Sequence, residues 1–432
     1  MKLHTKIALG LIFGALAGGL CNAFFPGAGW VEWINNNVAG PVGQIFLRML
    51  FMTVIPIVAT SITVGVARIG DMKTLGSLGG RTMGYFALST LIAATIGLTL
   101  VNTIRPGGGV DEATREALMA TYSTHAEGIS TTAAQQFGVS TFVNIVPRNP
   151  IAAMADMDML GVIFFALIFG AALTMLPKKK ADPVVELIDG IGEAVIKIID
   201  MAMKLAPYGV FGLIFVMTSR FGWGLLVQLG WYVFVVVVGL LIHATVGISA
   251  LVRIFGRISP VRFWKSVDAP MITAFSTSSS MATLPTSIHT AEAKLDIQPK
   301  IAGFVLPLGA TMNMNGTSLY EGVTVLFLAQ VFGVHLSIGS QIIVVILAVL
   351  TAIGAAGVPG GSIPLMMVVM GTVGVPPEGI AIILGVDRIL DMSRTTLNVT
   401  GDLSASVYID RIDRRLEHEA RRPDEEAPLL VG

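Results

Sequence analysis

The sequence has few charged residues for its length. Only 13% of its 432 residues are Asp, Glu, Lys or Arg, whereas 53% are hydrophobic. Soluble domains carry about a quarter charged residues, so this composition argues against a water-soluble enzyme. The 28 basic and 28 acidic residues cancel, which leaves no cationic excess to attract nucleic acid. Cys21 is the single cysteine, so an internal disulfide is excluded.

Uncharged runs locate the segments that can cross a bilayer, which takes about 20 apolar residues. They cover 7–31, 49–67, 82–104, 159–177, 221–252, 269–291, 301–320 and 322–377. The apolar stretch 189–219 also contains charges, and we expect it to be a longer helix that begins in the membrane interface. Basic clusters follow the even-numbered spans and the last helix, so both termini are predicted to be cytoplasmic. The polar stretch 106–140 is then an extracellular loop, and 411–432 is a charged cytoplasmic tail.

Two of the later runs do not suit simple spans. The run 269–291 is rich in Ser and Thr, and glycines and Pro359 interrupt the middle of 322–377. Non-helical backbone at membrane depth must be buried in protein or line a cavity, so both patterns favour hairpins that enter the bilayer and leave by the same side. Interrupted segments in corresponding places of two half-repeats are typical of the binding sites of transporters. The alternative for the Ser-rich run is a solvated loop.

A third anomaly lies at 309–317, inside an otherwise apolar helix. Two Gly and two Asn in this segment weaken the helix. Unwound backbone would present carbonyl oxygens, which are suitable ligands for a hard cation such as Na⁺. We therefore predict a helix break that binds a cation. The alternative is a flexible kink whose polar groups bond to one another.

The strongest pattern is a row of polar residues near the C-terminus. Asp387, Asp391, Arg394, Asn398 and Asp402 follow one another at spacings of four, three, four and four, which places them on one helical face. Three carboxylates and one guanidinium leave a net charge of −2, and each ionised group in a membrane needs a partner. Arg394 suits a carboxylate and Asp391 suits an ammonium, so the pair predicts a receptor for a zwitterion with an extra carboxylate. The alternative is an ion-pair network internal to the protein.

Four motifs in this sequence resemble the dicarboxylate/amino acid:cation symporter family, also called the glutamate transporter family. They are Thr277-Ser-Ser-Ser280 followed by Ala-Thr-Leu-Pro285, Asn313-Met-Asn-Gly-Thr317, Gly357-Val-Pro-Gly360, and Asp391-Met-Ser-Arg-Thr-Thr-Leu-Asn-Val-Thr-Gly-Asp402. The resemblance covers nearly the whole chain. It implies an all-α membrane protein with eight transmembrane helices and two re-entrant helical hairpins, related by inverted repeats. It also implies a homotrimer of elevator-type transporters in the inner, or plasma, membrane.

The same resemblance divides the chain into two domains. Helices 1, 2, 4 and 5, within 1–80 and 141–219, would form the scaffold and trimerisation domain. Residues 81–105 and 220–410 would form the transport domain, with helices 3, 6, 7 and 8 and both hairpins. The hairpins would lie at about 258–292 and 335–373.

The resemblance also implies a role for each matching position. Arg394 would hold the side-chain carboxylate of the substrate and Asp391 its amino group, while Asp387 would orient Arg394. The other substrate contacts would be Ser278, Ser280, Thr317, Gly357, Val358, Thr395 and Asn398. The Na⁺ ligands would be Gly309, Thr311, Asn313, Met314, Ala352, Ile353, Ala355, Asn398 and Asp402.

Three positions bear on the coupling ions. Many family members have Asp where this chain has Asn315, and a Tyr where it has Phe86. These two departures remove the charge and the oxygen that a third Na⁺ site needs. Glu321 matches a position that carries a proton in proton-coupled relatives, so it is the candidate proton carrier.

We therefore expect a secondary active symporter that takes up L-aspartate or L-glutamate with Na⁺, with H⁺ as a further candidate ion. A C4-dicarboxylate carrier is the alternative, although a dicarboxylate has no ammonium to meet Asp391. A neutral amino acid carrier would leave Arg394 without a partner. A channel needs a continuous polar pore, whereas the polar residues here converge at mid-membrane. A membrane enzyme needs a nucleophile with a base, and Ser280 has no His beside it in the sequence.

Overall fold

The computed structural model describes residues 3–71, 77–123, 146–156, 158–354 and 360–420. The regular structure of these residues is helical, without a strand, which confirms the all-α prediction for the described part of the chain. Five of the described helices are long and apolar enough to cross a membrane: Thr5–Phe24, Gly29–Ala67, Leu78–Ile104, Lys178–Phe221 and Gly224–Gly256. The described residues also contain the shorter apolar helices Gly161–Thr174, Ile338–Ala352 and Ser362–Thr372.

The first half of the chain consists of helices of very different length. They are α1 (Leu3–Phe24), α2 (Gly29–Ile34), α3 (Gly40–Phe51), α4 (Val54–Asp71), α5 (Ser77–Ile104), α6 (Glu112–Ser123), α7 (Pro150–Ala155), α8 (Met159–Thr174) and α9 (Lys178–Phe221). A π-helical segment, Asn35–Ala39, joins α2 to α3. The second predicted span therefore starts well before residue 49. The prediction was wrong there because Arg48 ended the uncharged run, although one arginine does not end the helix.

Helix α1 lies against α9 at very short range. A Cβ atom on Gly10 would lie 2.3 Å from the carbonyl oxygen of Pro207, and one on Gly14 would lie 2.7 Å from that of Phe211. These glycines, which are one helical turn apart, let the two backbones touch. Helices α3 and α4 also pack against α9, and α8 packs against α4. This group contains the helices predicted to form the scaffold.

The second half of the chain contains shorter, interrupted helices. They are α10 (Gly224–Ile242), α11 (Ser249–Leu251), α12 (Pro260–Ser266), α13 (Asp268–Thr277), α14 (Ser280–Leu295), α15 (Pro299–Met312), α16 (Asn315–Phe332), α17 (Ile338–Gly354), α18 (Ser362–Thr372) and α19 (Leu384–Ala420). Two π-helical segments, His243–Ile248 and Val252–Gly256, continue α10 on either side of α11. A 3₁₀ segment, Pro377–Ile382, precedes α19.

Helices α13 and α14 form a hairpin, here called hairpin one. Its turn is at Ser278, whose φ of 51° lies in the left-handed region. The Ser279 hydroxyl then accepts the backbone N–H of Ala282 at 3.1 Å and caps the N-terminus of α14. The Ser-rich run is thus a pair of helices rather than a loop, and the second helix extends to Leu295, past the predicted end at about 292.

Helices α17 and α18 also pack against each other, and they form hairpin two. Its connecting residues, 355–359, lie outside the described residues, as do the predicted site residues Ala355, Gly357 and Val358. Both arms of hairpin two contact α4, and α18 also contacts α3 and α8. Hairpin two therefore lies between α3, α4 and α8 on one side and the rest of the second half on the other.

Helix α19 is the centre of the second half. It packs against both arms of hairpin one and against α15, α16 and α10. The row of polar residues predicted on this helix is consequently buried in protein rather than exposed to lipid. Asp387, Asp391, Arg394, Asn398 and Asp402 are each less than a tenth exposed.

Candidate functional site

The helix break predicted at 309–317 is confirmed. Helix α15 ends at Met312 and α16 begins at Asn315, because Asn313 (φ −115°, ψ 68°) and Met314 (φ −98°, ψ 62°) leave the helical region. A Cβ atom on Gly316 would lie 2.4 Å from the carbonyl oxygen of Arg394. Because glycine has no side chain, the backbone at the break can contact the backbone of α19 directly.

Asn398 connects α19 to the new helix start. Its Oδ1 accepts the backbone N–H groups of Gly316 at 2.8 Å and Thr317 at 3.3 Å. Its Nδ2 donates to the Thr317 hydroxyl at 3.1 Å. These bonds satisfy N–H groups that have no partner inside α16. Thr317 and Asn398 are thus adjacent, as predicted, and Thr395 is also buried on α19.

Three residues predicted for the first Na⁺ site converge below the break. The Asn313 Nδ2 donates to Asp402 Oδ1 at 2.9 Å, and a Cβ atom on Gly309 would lie 2.5 Å from that same oxygen. Asn313 Oδ1 is buried and has no hydrogen-bond partner among the described residues. A buried carboxylate and a buried amide oxygen make this position suitable for a cation that oxygen atoms coordinate.

The residues predicted for the second Na⁺ site are only partly described. Met314 is buried at the break, and Ala352 is buried in α17, which packs against α15. The Thr311 hydroxyl donates to the Leu308 carbonyl at 2.9 Å. The side chain of Ile353 lies outside the described residues, as Ala355 does.

Arg394 lies between two carboxylates and is only 2% exposed. Its Nε and Nη2 donate to Asp391 Oδ1 at 3.1 and 2.9 Å. Its Nη1 is 3.7 Å from Asp387 Oδ1. Asp387 therefore contacts the guanidinium that it was predicted to orient. The bond to Asp391 is also the internal ion pair that the alternative interpretation expected.

Two serines predicted to bind substrate are buried at the turn of hairpin one. Ser278 and Ser280 are both less than a tenth exposed, and the Ser278 hydroxyl has no hydrogen-bond partner among the described residues. Both arms of the hairpin pack against α19, so the turn belongs to the same part of the protein as Arg394.

Tyr320 was missed in the sequence and completes the surroundings of Arg394. Its hydroxyl donates to Asp387 Oδ1 at 2.6 Å, and the Arg394 guanidinium carbon lies 4.5 Å from the centre of its ring. This geometry combines a hydrogen bond with a cation–π contact. The position, three residues after Thr317 on the same helix, was the available signal because residues three apart share a helical face.

Arg388 is the second residue that was missed. Its Nη1 lies 3.5 Å from Asp391 Oδ2, the oxygen that also accepts the backbone N–H of Gly360 at 3.2 Å. Between residues 387 and 402 the helix thus carries three carboxylates and two guanidiniums, a net charge of −1 rather than −2. Counting every charged residue of this membrane segment, instead of only those on one helical face, would have included Arg388.

Glu321 is completely buried on α16. The Thr351 hydroxyl donates to Glu321 Oε2 at 2.7 Å, which links α16 to the first arm of hairpin two. Glu321 Oε1 has no hydrogen-bond partner among the described residues. The predicted proton carrier therefore touches the hairpin that packs against α4.

The sequence matches the family model described as the sodium:dicarboxylate symporter family over residues 3–412. The chain belongs to this family. The resemblance found in the motifs is confirmed. The family consists of symporters rather than enzymes, so the chain is a multi-pass membrane transporter.

Several relatives of this symporter align with it over almost their full length. It is 38% identical over 423 residues to a proton/sodium-glutamate symport protein of Bacillus caldotenax, covering 96% of each chain. It is 35% identical over 419 residues to a proton/glutamate-aspartate symporter of Escherichia coli K12, covering 97% of this chain and 94% of that protein. It is 31% identical over 436 residues to a C4-dicarboxylate transport protein of Anaeromyxobacter dehalogenans, covering 99% of this chain and 95% of that protein.

Asn315 is one of the two positions that led us to doubt a third Na⁺ site, and its side chain acts as a hydrogen-bond donor. Asn315 is fully buried, and its Nδ2 donates to the Ser89 hydroxyl at 3.0 Å. Its Oδ1 accepts the backbone N–H of Gly316 at 2.7 Å, and Phe86 is buried as well. An amide that donates to a neighbouring oxygen does not supply the anion that such a site needs. That a third site is lacking stays a prediction.

Proposed function

We propose that this symporter couples the uptake of an acidic amino acid, L-aspartate or L-glutamate, to the Na⁺ gradient and to H⁺. The observation that carries the proposal is the buried guanidinium of Arg394, held between Asp387 and Asp391 directly over the broken helix. A planar guanidinium binds both oxygens of a carboxylate, and a buried acid beside it can take an ammonium. The names of two relatives, a proton/glutamate-aspartate symporter and a proton/sodium-glutamate symport protein, support the same substrate class.

Substrate binding would exchange one ion pair for two. The bond between Arg394 and Asp391 Oδ1, at 2.9 Å, has to open before either group can take a substrate charge. The side-chain carboxylate of the substrate would then bind Arg394, and the amino group would bind Asp391. Neither buried charge loses its partner, so the exchange avoids the penalty of an unpaired charge.

The other proposed substrate contacts lie on α19 itself, on α16 and on the two hairpins. Thr317, Thr395 and Asn398 would line the pocket beside Arg394. Ser278 and Ser280, at the turn of hairpin one, would bind the α-carboxylate, and the buried hydroxyl of Ser278 supports this role. Gly357 and Val358 of hairpin two would close the pocket.

Two Na⁺ ions would bind on either side of the break. The first would take the carbonyls of Gly309, Asn313 and Asn398 and the carboxylate of Asp402. The second would take carbonyls at Thr311 and Met314 and, from hairpin two, those of Ala352, Ile353 and Ala355. The charged site is costly to move through a low-dielectric layer without its cations, and this cost couples the ions to the substrate.

Glu321 would carry the proton. The Thr351 hydroxyl lies within reach of both Glu321 Oε2, at 2.7 Å, and the Leu347 carbonyl, at 2.8 Å, but it has a single hydrogen to donate. When Glu321 is protonated, it can donate to Thr351, which then donates to Leu347. Glu321 Oε2, the Thr351 hydroxyl and the Leu347 carbonyl are then all hydrogen-bonded in the neutral state, which favours loading of a proton at this position.

The larger architecture is also part of this proposal. We infer eight transmembrane helices, re-entrant hairpins one and two, cytoplasmic termini and a homotrimer in the plasma membrane. The domain containing hairpins one and two would move as an elevator against the scaffold of α1, α3, α4, α8 and α9. The contacts of hairpin two with α4, and the close backbone contact of α1 with α9, support a division between a moving and a static part.

Uptake of radiolabelled L-aspartate into proteoliposomes tests the proposal. Uptake above equilibrium is expected with an inward Na⁺ gradient and is expected to collapse when the gradient is dissipated. Unlabelled glutamate, succinate and serine added in excess report the substrate class. Protein-free liposomes are the control. Equal uptake in the presence and absence of Na⁺ and H⁺ gradients would refute symport.

A further inference from the structure

The Asp391 carboxylate is surrounded by donors. Oδ1 accepts two bonds from Arg394, at 3.1 and 2.9 Å. Oδ2 accepts the Gly360 backbone N–H at 3.2 Å and lies 3.5 Å from Arg388 Nη1. Asp391 is therefore placed between two guanidiniums and the start of the second arm of hairpin two. A substrate ammonium cannot reach this carboxylate unless one of these donors leaves.

Arg388 is the donor that is held least firmly. Arg394 is 2% exposed and is also held by Asp387 and the ring of Tyr320. The Gly360 donor is a backbone group and can leave only if the hairpin arm moves. Arg388 makes the longest of these contacts, and its side chain is 12% exposed, compared with 2% for Arg394. Displacing Arg388 therefore disturbs the fewest other contacts.

We propose that Arg388 is a tethered counter-ion for Asp391, which the ammonium of an amino acid substrate displaces. The proposal rests on the proposed function, because it concerns the same site. With aspartate or glutamate, the substrate ammonium takes the place of Arg388 at Oδ2. With a C4-dicarboxylate such as succinate, no ammonium arrives, and Arg388 stays and compensates Asp391. Arg394 is free to bind a carboxylate in both cases.

Arg388 thus decides which substrate classes the site accepts. A dicarboxylate without an ammonium would otherwise leave Asp391 as an uncompensated buried charge once Arg394 turned to the substrate, which is strongly unfavourable. With Arg388 in place, the charge of Asp391 stays compensated when a dicarboxylate binds. The site is then expected to bind both acidic amino acids and C4-dicarboxylates, in competition with one another.

The test replaces Arg388 and compares two substrates. Inhibition constants of L-aspartate and succinate are measured by competition with labelled aspartate in proteoliposomes, and binding is measured by calorimetry on the purified protein. The neutral variants Arg388→Gln and Arg388→Met are expected to weaken succinate binding about tenfold or more relative to aspartate. Arg388→Lys keeps the charge and is expected to keep the succinate-to-aspartate ratio close to that of the wild type. Arg262→Gln removes an exposed arginine elsewhere and is the matched control.

The ratio of the two constants separates this role from a merely structural one. A structural defect weakens both substrates equally, so an unchanged ratio in both neutral variants overturns the proposal. Wild-type protein that binds aspartate but shows no inhibition by saturating succinate overturns it as well. Calorimetry supplies the ratio for a variant that binds but does not transport. Wild-type protein that binds neither acid refutes the proposed function itself, which is a distinguishable result.

Discussion

Replacement of Arg394 by Cys tests the central electrostatic argument. The change removes the guanidinium whose Nη2 lies 2.9 Å from Asp391 and whose Nη1 lies 3.7 Å from Asp387. Truncating one partner of a buried, hydrogen-bonded charge pair costs about 3–5 kcal/mol. Each 1.4 kcal/mol is about a tenfold change in an equilibrium constant, so the affinity for an acidic substrate is expected to fall by about 100-fold or more.

The assay for this variant is competition against labelled substrate in proteoliposomes, with aspartate and serine as competitors. Serine has no side-chain carboxylate, so its affinity is expected to rise relative to that of aspartate. Arg394→Lys is the control, because it keeps the charge but loses the planar fork that binds both carboxylate oxygens. Its aspartate affinity is expected to lie between those of the wild type and the Cys variant. Unchanged aspartate affinity in Arg394→Cys would contradict the assigned role.

Three further substitutions test the coupling ions. Glu321→Gln is expected to abolish the effect of a pH gradient on uptake and to retain the Na⁺ dependence; a pH response equal to that of the wild type would exclude Glu321 as the carrier. Asp402→Asn removes the carboxylate at the first Na⁺ site, so the rise in melting temperature that Na⁺ produces should shrink, whereas a full rise would argue against the site. Asn315→Asp places a carboxylate where the amide now lies 3.0 Å from the Ser89 hydroxyl. The added charge should make the dependence of uptake on Na⁺ concentration steeper. An unchanged dependence would show that restoring this charge does not create a third Na⁺ site.

The features predicted correctly from the sequence are those marked by residue types that are unusual in an apolar helix. Gly and Asn inside an apolar helix predicted the break, because both residue types weaken a helix wherever it packs. Ser and Thr in an uncharged run predicted hairpin one. The spacing of the charged residues predicted the face of α19 that is buried. Each of these signals depends on residues close together in the chain.

The contacts that complete the site depend on the tertiary fold. Tyr320 and Asp387 are 67 residues apart, and Asn313 and Asp402 are 89 residues apart. No local pattern fixes such pairings, because they follow from how α16 and the break pack on α19. Arg388 is a different case. It lies three residues before Asp391, so its spacing already places the two side chains on one helical face, but it was not among the residues considered in the polar row.

The glycine contact between α1 and α9 has a practical consequence for measuring motion. Where two backbones touch with no side chain between them, there are no rotamers to rearrange, and a shift would open a void or create a clash. The distance between spectroscopic labels on α1 and α9 is therefore expected to stay constant, so these labels can serve as a reference. Distances from these labels to a label on α18 would test the proposed movement of the domain that contains hairpin two.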